Sequence, residues 1–306
     1  MNPVSASRAD AGDIDVNGLP KLSVVVPVFD EEDTIGECLT RLVGQIDHIA
    51  EIIVVDNNCT DTSMAIVGAV SADHPEVRSV HEPRQGLVFA RNAGMDAATG
   101  ELIARIDADT RVGPDWAQTV VDFFGADVDG HWSALCGRGE AYGVPLAGRF
   151  DRWKITIHPL GRRRAHRVVT EIPVLYGSNM IVRRDVWERI RSRVSMRRDI
   201  FEDVDLGLCV GEDGGRNAFL ASLTVGVSAR RMQSALPSFV TYMSFLPRTF
   251  ALHRRYALTA GSALIYVPAL TVLHALRLTA IRLYDADTGR WSARRVRTRL
   301  ADRVLP

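Results

Sequence analysis

The sequence of 306 residues is poor in the features that mark several large classes of protein. Its four cysteines are widely spaced and form no CxxC pair, so we expect neither a zinc site nor a disulfide framework, and a reducing cytosol fits. The first 20 residues lack the apolar core of a signal peptide and are expected to be a disordered leader. No GxGxxG follows the first apolar run and no GxxxxGK(S/T) occurs anywhere, which excludes the dinucleotide-binding fingerprint and the P-loop.

The chain also has no net charge, since 37 acidic residues balance 37 basic ones. A protein that coats nucleic acid is normally basic, so nucleic acid is not an expected partner. Apolar residues make up 46% and charged residues 24% of the chain, which is the usage of an ordinary globular protein. Lys21 and Lys154 are the only lysines, and mutational bias in a GC-rich genome accounts for most of the arginines.

Apolar runs alternate with helix-like segments in the first third of the chain. The runs, which contain many β-branched residues, are Leu22–Phe29, Glu51–Val55 and Glu101–Ile106. The helix-like segments between them are Glu31–Ile46, Asp61–Ser71 and Leu87–Ala98. Strands that are apolar on both faces suit a parallel sheet with helices on both sides. The alternation predicts an α/β fold with a doubly wound, mostly parallel sheet.

The pattern is less regular farther along the chain. We expect helices over Trp116–Phe124, Asp185–Arg193 and Asp203–Glu212, and a strand over Val174–Val182. The arginine-rich stretch Trp132–Glu171 is interpreted as a strand, a mobile connection and part of an acceptor site. These elements complete an α/β domain predicted to cover residues 21–232.

Residues 233–306 are expected to form a helical extension. The segment Ala257–Leu276 lacks Asp, Glu, Lys and Arg and is long enough to span a bilayer. Because it contains Gly261 and Pro268 and has arginines on both sides, a helix lying on a membrane or a buried helical pair fits as well as a span. Together with the basic tail, this apolar segment predicts a cytoplasmic protein held at the inner face of the plasma membrane. The predicted acceptor is lipid-linked or otherwise anionic.

Acidic clusters come directly after each of the three predicted strands. They are Asp30-Glu31-Glu32, Asp56-Asn57-Asn58 and Asp107-Ala108-Asp109. The carboxyl ends of parallel strands meet at the edge of the sheet where ligands bind. Repulsion among carboxylates there is costly without a cation or hydrogen-bond donors. One strand-end Asp is commonly a turn or cap residue, whereas three clusters at one edge favour a ligand site.

The Asp107-Ala108-Asp109 motif is the sharpest of the three clusters. Residues two apart in an extended segment face the same way, so both carboxylates can address one ligand. Hard cations such as Mg²⁺ take one or two carboxylates and complete their shell with water and phosphate oxygens. The alternative is a polar turn with solvated acids.

A further acidic cluster, Phe201 to Leu206, lies about a hundred residues later. A helix that starts here places Glu202 or Asp203 at its N-terminus, where the helix dipole favours an ionised carboxylate. The residue is then either an N-cap or a general base. Arg91, on the helix-like segment before the third strand, either binds a phosphate or base edge or pairs with an acid.

Five segments of the chain resemble those of family 2 glycosyltransferases with the GT-A fold. In order they read VVVPVFDEEDTIGECL, IIVVDNNCTDTS, GLVFARNAGMDAATGELIARIDADT, GSNMIVRR and FEDVDL. They lie between Lys21 and Arg216, and as a set they are highly specific. The resemblance implies a GT-A type, Rossmann-like α/β fold with a helical C-terminal extension. It also implies inverting transfer of a sugar from a nucleotide-sugar donor to an acceptor hydroxyl, with Mg²⁺ or Mn²⁺.

The resemblance assigns roles to residues by their position in these segments. Those that would line the nucleobase and ribose pocket are Pro27, Glu31, Asp56 and Arg91. Those that would border the donor sugar are Gly177, Ser178 and Asn179. Asp107 would contact the ribose or the metal shell, and Asp109 would ligate the metal on the diphosphate. Asp203 would be the base, with Glu202 beside it.

The segment after the helix that carries the predicted base departs from the family pattern. Many GT-A enzymes carry a metal-binding His there, whereas this chain has Arg230 and Arg231. Either these arginines face the diphosphate, or Asp109 and the phosphates hold the metal alone, or the pair is merely solvated.

Two other functions remain open from the sequence. A sugar-phosphate nucleotidyltransferase usually has a glycine-rich, basic loop after its first strand, where this chain has the acidic run Asp30 to Asp33. A non-catalytic nucleotide-sugar-binding or scaffold domain has no need of Asp107, Asp109 and Asp203, which are all present.

Overall fold

The computed structural model describes residues 19–142, 169–228, 234–285 and 290–291, and its centre is a sheet of nine strands. The strands are β1 (Leu22–Val28), β2 (Glu51–Asp56), β3 (Val77–His81), β4 (Leu102–Arg105), β5 (Arg111–Val112), β6 (Ala134–Tyr142), β7 (Val169–Ile172), β8 (Met180–Arg183) and β9 (Asn217–Ser228). Their order is β3-β2-β1-β4-β8-β6-β9-β5, and β7 pairs with β9. All except β5, β7 and β8 run in one direction, so the predicted mostly parallel sheet is confirmed.

Helices cover both faces of the sheet. They are α1 (Ile35–Val43), α2 (Ser63–Asp73), α3 (Leu87–Ala97), α4 (Trp116–Gly125), α5 (Arg184–Ile190) and α6 (Glu202–Glu212). In β1, Val24 and Val26 pack into one core and Val25 into the other, because successive side chains of a strand point to opposite faces. A Cβ at Gly94 would overlap the Val25 side chain, so this glycine lets α3 lie close to the sheet.

Most elements expected from the sequence begin and end within four residues of their predicted bounds, and the largest difference is at α1, which begins at Ile35 and not at Glu31. The expected strand Val174–Val182 is largely wrong, because Gly177–Asn179 forms a 3-10 turn and β8 begins only at Met180. The sequence did not predict β3, β5, β7 or β9. β3 is an edge strand whose side chains are mostly partly exposed, so it carries no apolar run.

The C-terminal extension is helical, as expected. It contains α7 (Leu236–Met243), α8 (Phe245–Leu252), α9 (Tyr256–Gly261), a π-helical turn (Ser262–Tyr266) and α10 (Val267–Leu283), followed by the hairpin strands β10 (Tyr284–Asp285) and β11 (Arg290–Trp291). Tyr256–Thr279 is one apolar helical run of 24 residues with a mean hydropathy of 1.6, long enough to cross a membrane. Only 6% of its most apolar stretch is buried. The predicted boundary at 232/233 falls outside the described residues.

Candidate active site

Acidic residues from three parallel strands meet at one edge of the sheet. Asp30 follows β1, Asp56 ends β2, and Asp107 follows β4 on the same side. The Asp30 carboxylate accepts a hydrogen bond from the Thr60 N–H at 2.7 Å. Asp56 accepts one from the Cys59 N–H at 2.9 Å, and although burial opposes it, this bond helps to hold the pKa of Asp56 below its ordinary value. Backbone N–H donors thus offset the negative charge of the first two acidic clusters.

Two of the residues predicted to line a nucleobase pocket lie beside Asp56. Pro27 is buried in β1, opposite Val55 of β2. Glu31 lies in the turn into α1, is 8% exposed, and its carboxylate accepts a hydrogen bond from the Thr34 hydroxyl at 3.0 Å. Pro27, Glu31 and Asp56 therefore share one end of the adjacent strands β1 and β2.

The structure does not bring Arg91 to this pocket. The Arg91 side chain is fully buried on α3, and its Nη1 donates to the Glu202 carbonyl oxygen at 2.7 Å. Its Nε and Nη2 donate to Asn92 Oδ1 at 3.0 and 2.8 Å. Because every nitrogen of the guanidinium has a protein partner, Arg91 supports the start of α6, which carries the predicted base.

The Asp107-Ala108-Asp109 motif forms a turn after β4. The Thr110 N–H donates to the Asp107 carbonyl oxygen at 2.9 Å and closes this turn, so the expected extended geometry is wrong. Both aspartates are nevertheless partly exposed, the Asp107 side chain by 39%. The Tyr142 hydroxyl donates to the Asp109 carbonyl oxygen at 2.7 Å and holds the far side of the turn. Partly exposed carboxylates are oxygen donors suited to Mg²⁺ or Mn²⁺.

Asp203, the predicted base, lies in the first turn of α6. Its Oδ2 accepts a hydrogen bond from the Gly177 N–H at 2.7 Å, and its Oδ1 accepts one from the Val204 N–H at 2.8 Å. Burial and the neighbouring Glu202 carboxylate raise the pKa of Asp203 to about 6, although these hydrogen bonds and Arg105 oppose the rise. A carboxylate with this pKa is ionised at neutral pH and is a stronger base than an ordinary Asp.

The turn Gly177–Asn179, predicted to border the donor sugar, contacts Asp203, the predicted base, directly through Gly177. Asn179 is fully buried and has a structural part, because its Oδ1 accepts from Trp116 Nε1 at 3.0 Å and its Nδ2 donates to the Leu223 carbonyl oxygen at 2.9 Å. Ser178 is partly buried. A Cβ at Gly177 would overlap the Arg105 guanidinium and crowd Asp203, so a larger residue at this point would displace Arg105.

Arg105 is a site residue that the sequence did not identify. It ends β4, is 2% exposed, and its Nη2 lies 2.7 Å from Asp107 Oδ1 and 3.5 Å from Glu202 Oε1. The one signal in the sequence was an arginine inside the otherwise apolar run Glu101–Ile106. Arg105 thus joins the two acidic motifs, which lie about a hundred residues apart in the chain.

The C-terminal helices also contact α6, the helix that carries the predicted base. The Phe201 N–H donates to Thr249 Oγ1 on α8 at 2.9 Å, and the Phe201 ring packs against Tyr242 with a centroid distance of 4.7 Å. His253 Nε2 lies 2.9 Å from Asp205 Oδ1 on α6. The segment predicted as a membrane-associated extension therefore also holds α6, the helix that carries the predicted base.

The remaining predicted ligand residues are arginines that lie outside the described residues, namely Arg230, Arg231 and those from Arg149 to Arg167. Among the described residues, Asp205, Cys209 and His253 place possible metal-ligand atoms within 4.8 Å of one another. Both ring nitrogens of His253 are already taken by Asp205 and Glu212, so an ion-pair network accounts for this cluster.

Comparisons with known proteins identify relatives of this chain. An uncharacterized glycosyltransferase of Escherichia coli, YibD, is 34% identical over 106 residues, 35% of this chain and 31% of that protein. The glycosyltransferase AglE of Haloferax volcanii is 29% identical over 179 residues, 56% of this chain and 55% of that protein. The chain spans about a third of the length of the first curated relatives it matches.

Two solved structures show the same fold. The mannosyltransferase PcManGT of Pyrobaculum calidifontis, solved with GDP-Man and Mn²⁺, has a TM-score of 0.60 and 21% identity, covering 85% of this chain and 74% of that one. Staphylococcus aureus TarS, residues 1–349 with UDP-GlcNAc, has a TM-score of 0.55 and 18% identity, covering 76% and 66%. The predicted GT-A fold is thus confirmed. The family model described as "Glycosyl transferase family 2" matches residues 23–191, more than half of the chain, and the chain belongs to this family of glycosyltransferases.

Proposed function

We propose that the protein transfers a sugar with inversion from a nucleoside-diphosphate sugar to an acceptor hydroxyl, with Asp203 as general base. The observation that carries this proposal is the Asp203 carboxylate, whose pKa is raised to about 6 and which lies beside the turn Gly177–Asn179. Arg105 links this end of the site to Asp107. Base and strand-end acids are therefore parts of one cluster.

The chemistry is that of a single displacement. Asp203 accepts the proton of the acceptor hydroxyl while that oxygen bonds to the anomeric carbon of the donor. The bond from that carbon to the diphosphate oxygen breaks on the opposite face, so the configuration inverts. The diphosphate leaves with the bonding electron pair, and the proton stays on the Asp203 carboxylate until it passes to water.

Asp109, with Asp107, is proposed to hold Mg²⁺ or Mn²⁺ against the diphosphate of the donor. When bound, such a cation neutralises the charge that develops on the departing diphosphate. The GDP-Man and Mn²⁺ complex of PcManGT supports this choice of donor class and cation. Pro27, Glu31 and Asp56 are proposed to face the nucleoside end of the donor, and Ser178 its sugar.

Thermal-shift screening against a panel of nucleotide sugars with Mn²⁺ tests the proposal, since a ligand that binds only the folded state raises the melting temperature. The stabilising donor is then incubated with the enzyme without an acceptor, and the products are identified. Release of the nucleoside diphosphate supports glycosyl transfer. Formation of a nucleoside triphosphate and a sugar 1-phosphate when pyrophosphate is added indicates a nucleotidyltransferase, and a donor that stays intact in both assays indicates a binding domain. Asp109→Asn should fold normally and lose the Mn²⁺-dependent shift, and an undiminished shift in this variant contradicts the metal assignment.

The C-terminal region supports an acceptor at the cytoplasmic face of a membrane. Leu264, Ile265 and Val272 on the apolar run Tyr256–Thr279 are 77%, 72% and 61% exposed. Residues 234–306 contain eleven arginines and three aspartates, with no Lys or Glu, although the whole chain is neutral. Apolar side chains between basic flanks suit a surface of anionic lipid. We propose that the protein binds this surface peripherally and acts on a lipid-linked or otherwise anionic acceptor.

A further inference from the structure

Arg105 is a buried cation shared by the two acidic motifs of the site. Its side chain is 2% exposed, and its Nη2 lies 2.7 Å from Asp107 Oδ1 and 3.5 Å from Glu202 Oε1. Its Nη1 lies beneath Gly177, where a Cβ would overlap it. A guanidinium at this point therefore touches the turn that binds Asp203 as well as both acidic motifs.

The surroundings of Arg105 indicate that its charge matters more than its hydrogen bonds. Its Nε has no hydrogen-bond partner among the described residues. Although burial opposes the charged form, Asp107, followed by Glu202 and Asp203, keeps the pKa of Arg105 above its ordinary value. Arg105 is thus an ionised group surrounded by carboxylates, and it offsets their mutual repulsion.

We propose that Arg105 is a positioning residue that acts as an internal counter-cation, holding Asp107 and Glu202 together until a divalent cation competes with it for Asp107. The inference rests on the proposed function only in taking Asp107 and Asp109 as the place where the cation binds. A cation bound to Asp107 would share this carboxylate with the Arg105 guanidinium, whose Nη2 lies 2.7 Å from Oδ1. Two positive charges on one carboxylate would repel each other even in a water-like dielectric.

The proposal predicts that a neutral residue at position 105 strengthens cation binding. In Arg105→Met, the affinity for Mn²⁺ alone should rise about tenfold at pH 8, where the Asp203 carboxylate is ionised. If Arg105 only maintained the structure of this edge, its replacement would weaken Mn²⁺ binding, because a less ordered site binds a cation more weakly. Free Mn²⁺ is measured by electron paramagnetic resonance, without nucleotide, and folding is checked by circular dichroism.

Arg183→Gln is the matched control. Arg183 is an ion-paired arginine on β8, 14% exposed, and lies opposite Leu102 at the other end of β4. This variant should bind Mn²⁺ as the wild-type protein does. Arg105→Lys keeps the positive charge on a shorter side chain that cannot bridge both acids. The affinity of this variant for Mn²⁺ should therefore rise about two- to threefold. If Arg105→Met does not fold, Arg105→Lys alone decides.

Unchanged or weaker Mn²⁺ binding in the folded Arg105 variants overturns the proposal. A separate variant, Asp109→Asn, identifies which proposal has failed. If wild type binds Mn²⁺, Asp109→Asn does not, and the Arg105 variants match wild type, the metal site stands and the role of Arg105 is wrong. If Asp109→Asn binds Mn²⁺ as wild type does, or if neither wild type nor any Arg105 variant binds it, the metal assignment and this inference both fail.

Discussion

The sheet and the C-terminal helix are both built from long apolar runs, but the protein places these runs in opposite surroundings. Every side chain of β1 is buried, whereas Leu264 and Ile265 on the helix are 77% and 72% exposed. Hydrophobicity alone therefore does not say whether a run forms a core or a surface. The α/β domain and the C-terminal extension that carry these runs meet where α8 contacts α6. Variants in each part therefore test whether catalysis, folding and membrane binding can be altered separately.

The largest expected effect is on catalysis alone. Asp203→Asn should lower kcat about 10²–10⁴-fold, because the general base is lost, and leave donor affinity nearly unchanged. Turnover at saturating donor and donor affinity are measured on the same preparation, and vesicle binding should be as in wild type. If donor binding collapses while turnover at saturation survives, Asp203 is a binding residue and Glu202 becomes the better candidate for the base.

The second effect is on the free energy of unfolding, which should respond differently to the same substitution in the core and on the exposed helix. Ile53 on β2 is fully buried, so Ile53→Ala should lower the free energy of unfolding by about 2–5 kcal/mol. Ile265→Ala, the same change at an exposed position, should alter it by no more than about 0.5 kcal/mol. Urea unfolding measures both. A comparable loss in the two variants would show that Ile265 packs against protein in solution.

The third effect concerns the membrane. Full-length protein should float with anionic vesicles, and added salt should weaken this binding. Replacing Leu264 and Ile265 together by Gln should lower the affinity for vesicles by about tenfold or more. Burial of each apolar side chain in the membrane contributes about 1.5–3 kcal/mol to the free energy of binding. The control replaces them by Met and Val, which keep the apolar surface. Full-length protein that stays with the soluble fraction at low salt contradicts membrane binding.

The smallest effect tests the junction between the two regions. Asp205, and then Glu212, raise the pKa of His253 above its ordinary value, although burial opposes this. The stabilisation is therefore fully present below the unfolded pKa, about 6.5, and is lost as pH rises through the folded pKa. His253→Gln should destabilise the protein by about 1 kcal/mol at pH 6 and by less at pH 9.

The control for this pH dependence is His131→Gln, at an exposed histidine. Its effect on the free energy of unfolding should be small at both pH values. A loss in His253→Gln that is equal at pH 6 and pH 9 would mean that the histidine contributes by packing and not by charge.

Much of the sheet could be predicted from the sequence, because buried parallel strands are continuous apolar runs. β1, β2 and β4 are such runs, and the acids after them lie at one edge of the sheet, which is the predicted ligand edge. β3 and β9 could not be identified in this way, since both mix buried side chains with partly or fully exposed ones and do not form continuous apolar runs along their length. Their place in the sheet depends on neighbours that are remote in the chain.

The sequence by itself determined the α/β fold, and it predicted a ligand edge with the site residues Asp107, Asp109 and Asp203, because local patterns specify strands, helices and the polar residues at their ends. Only the tertiary structure decided the parts played by Arg91 and Arg105. Each is a buried guanidinium whose partner Glu202 lies about a hundred residues away. The chain pattern carries no sign of such a partner, since a buried charge is made tolerable only by the carboxylates and carbonyl oxygens that folding brings to it.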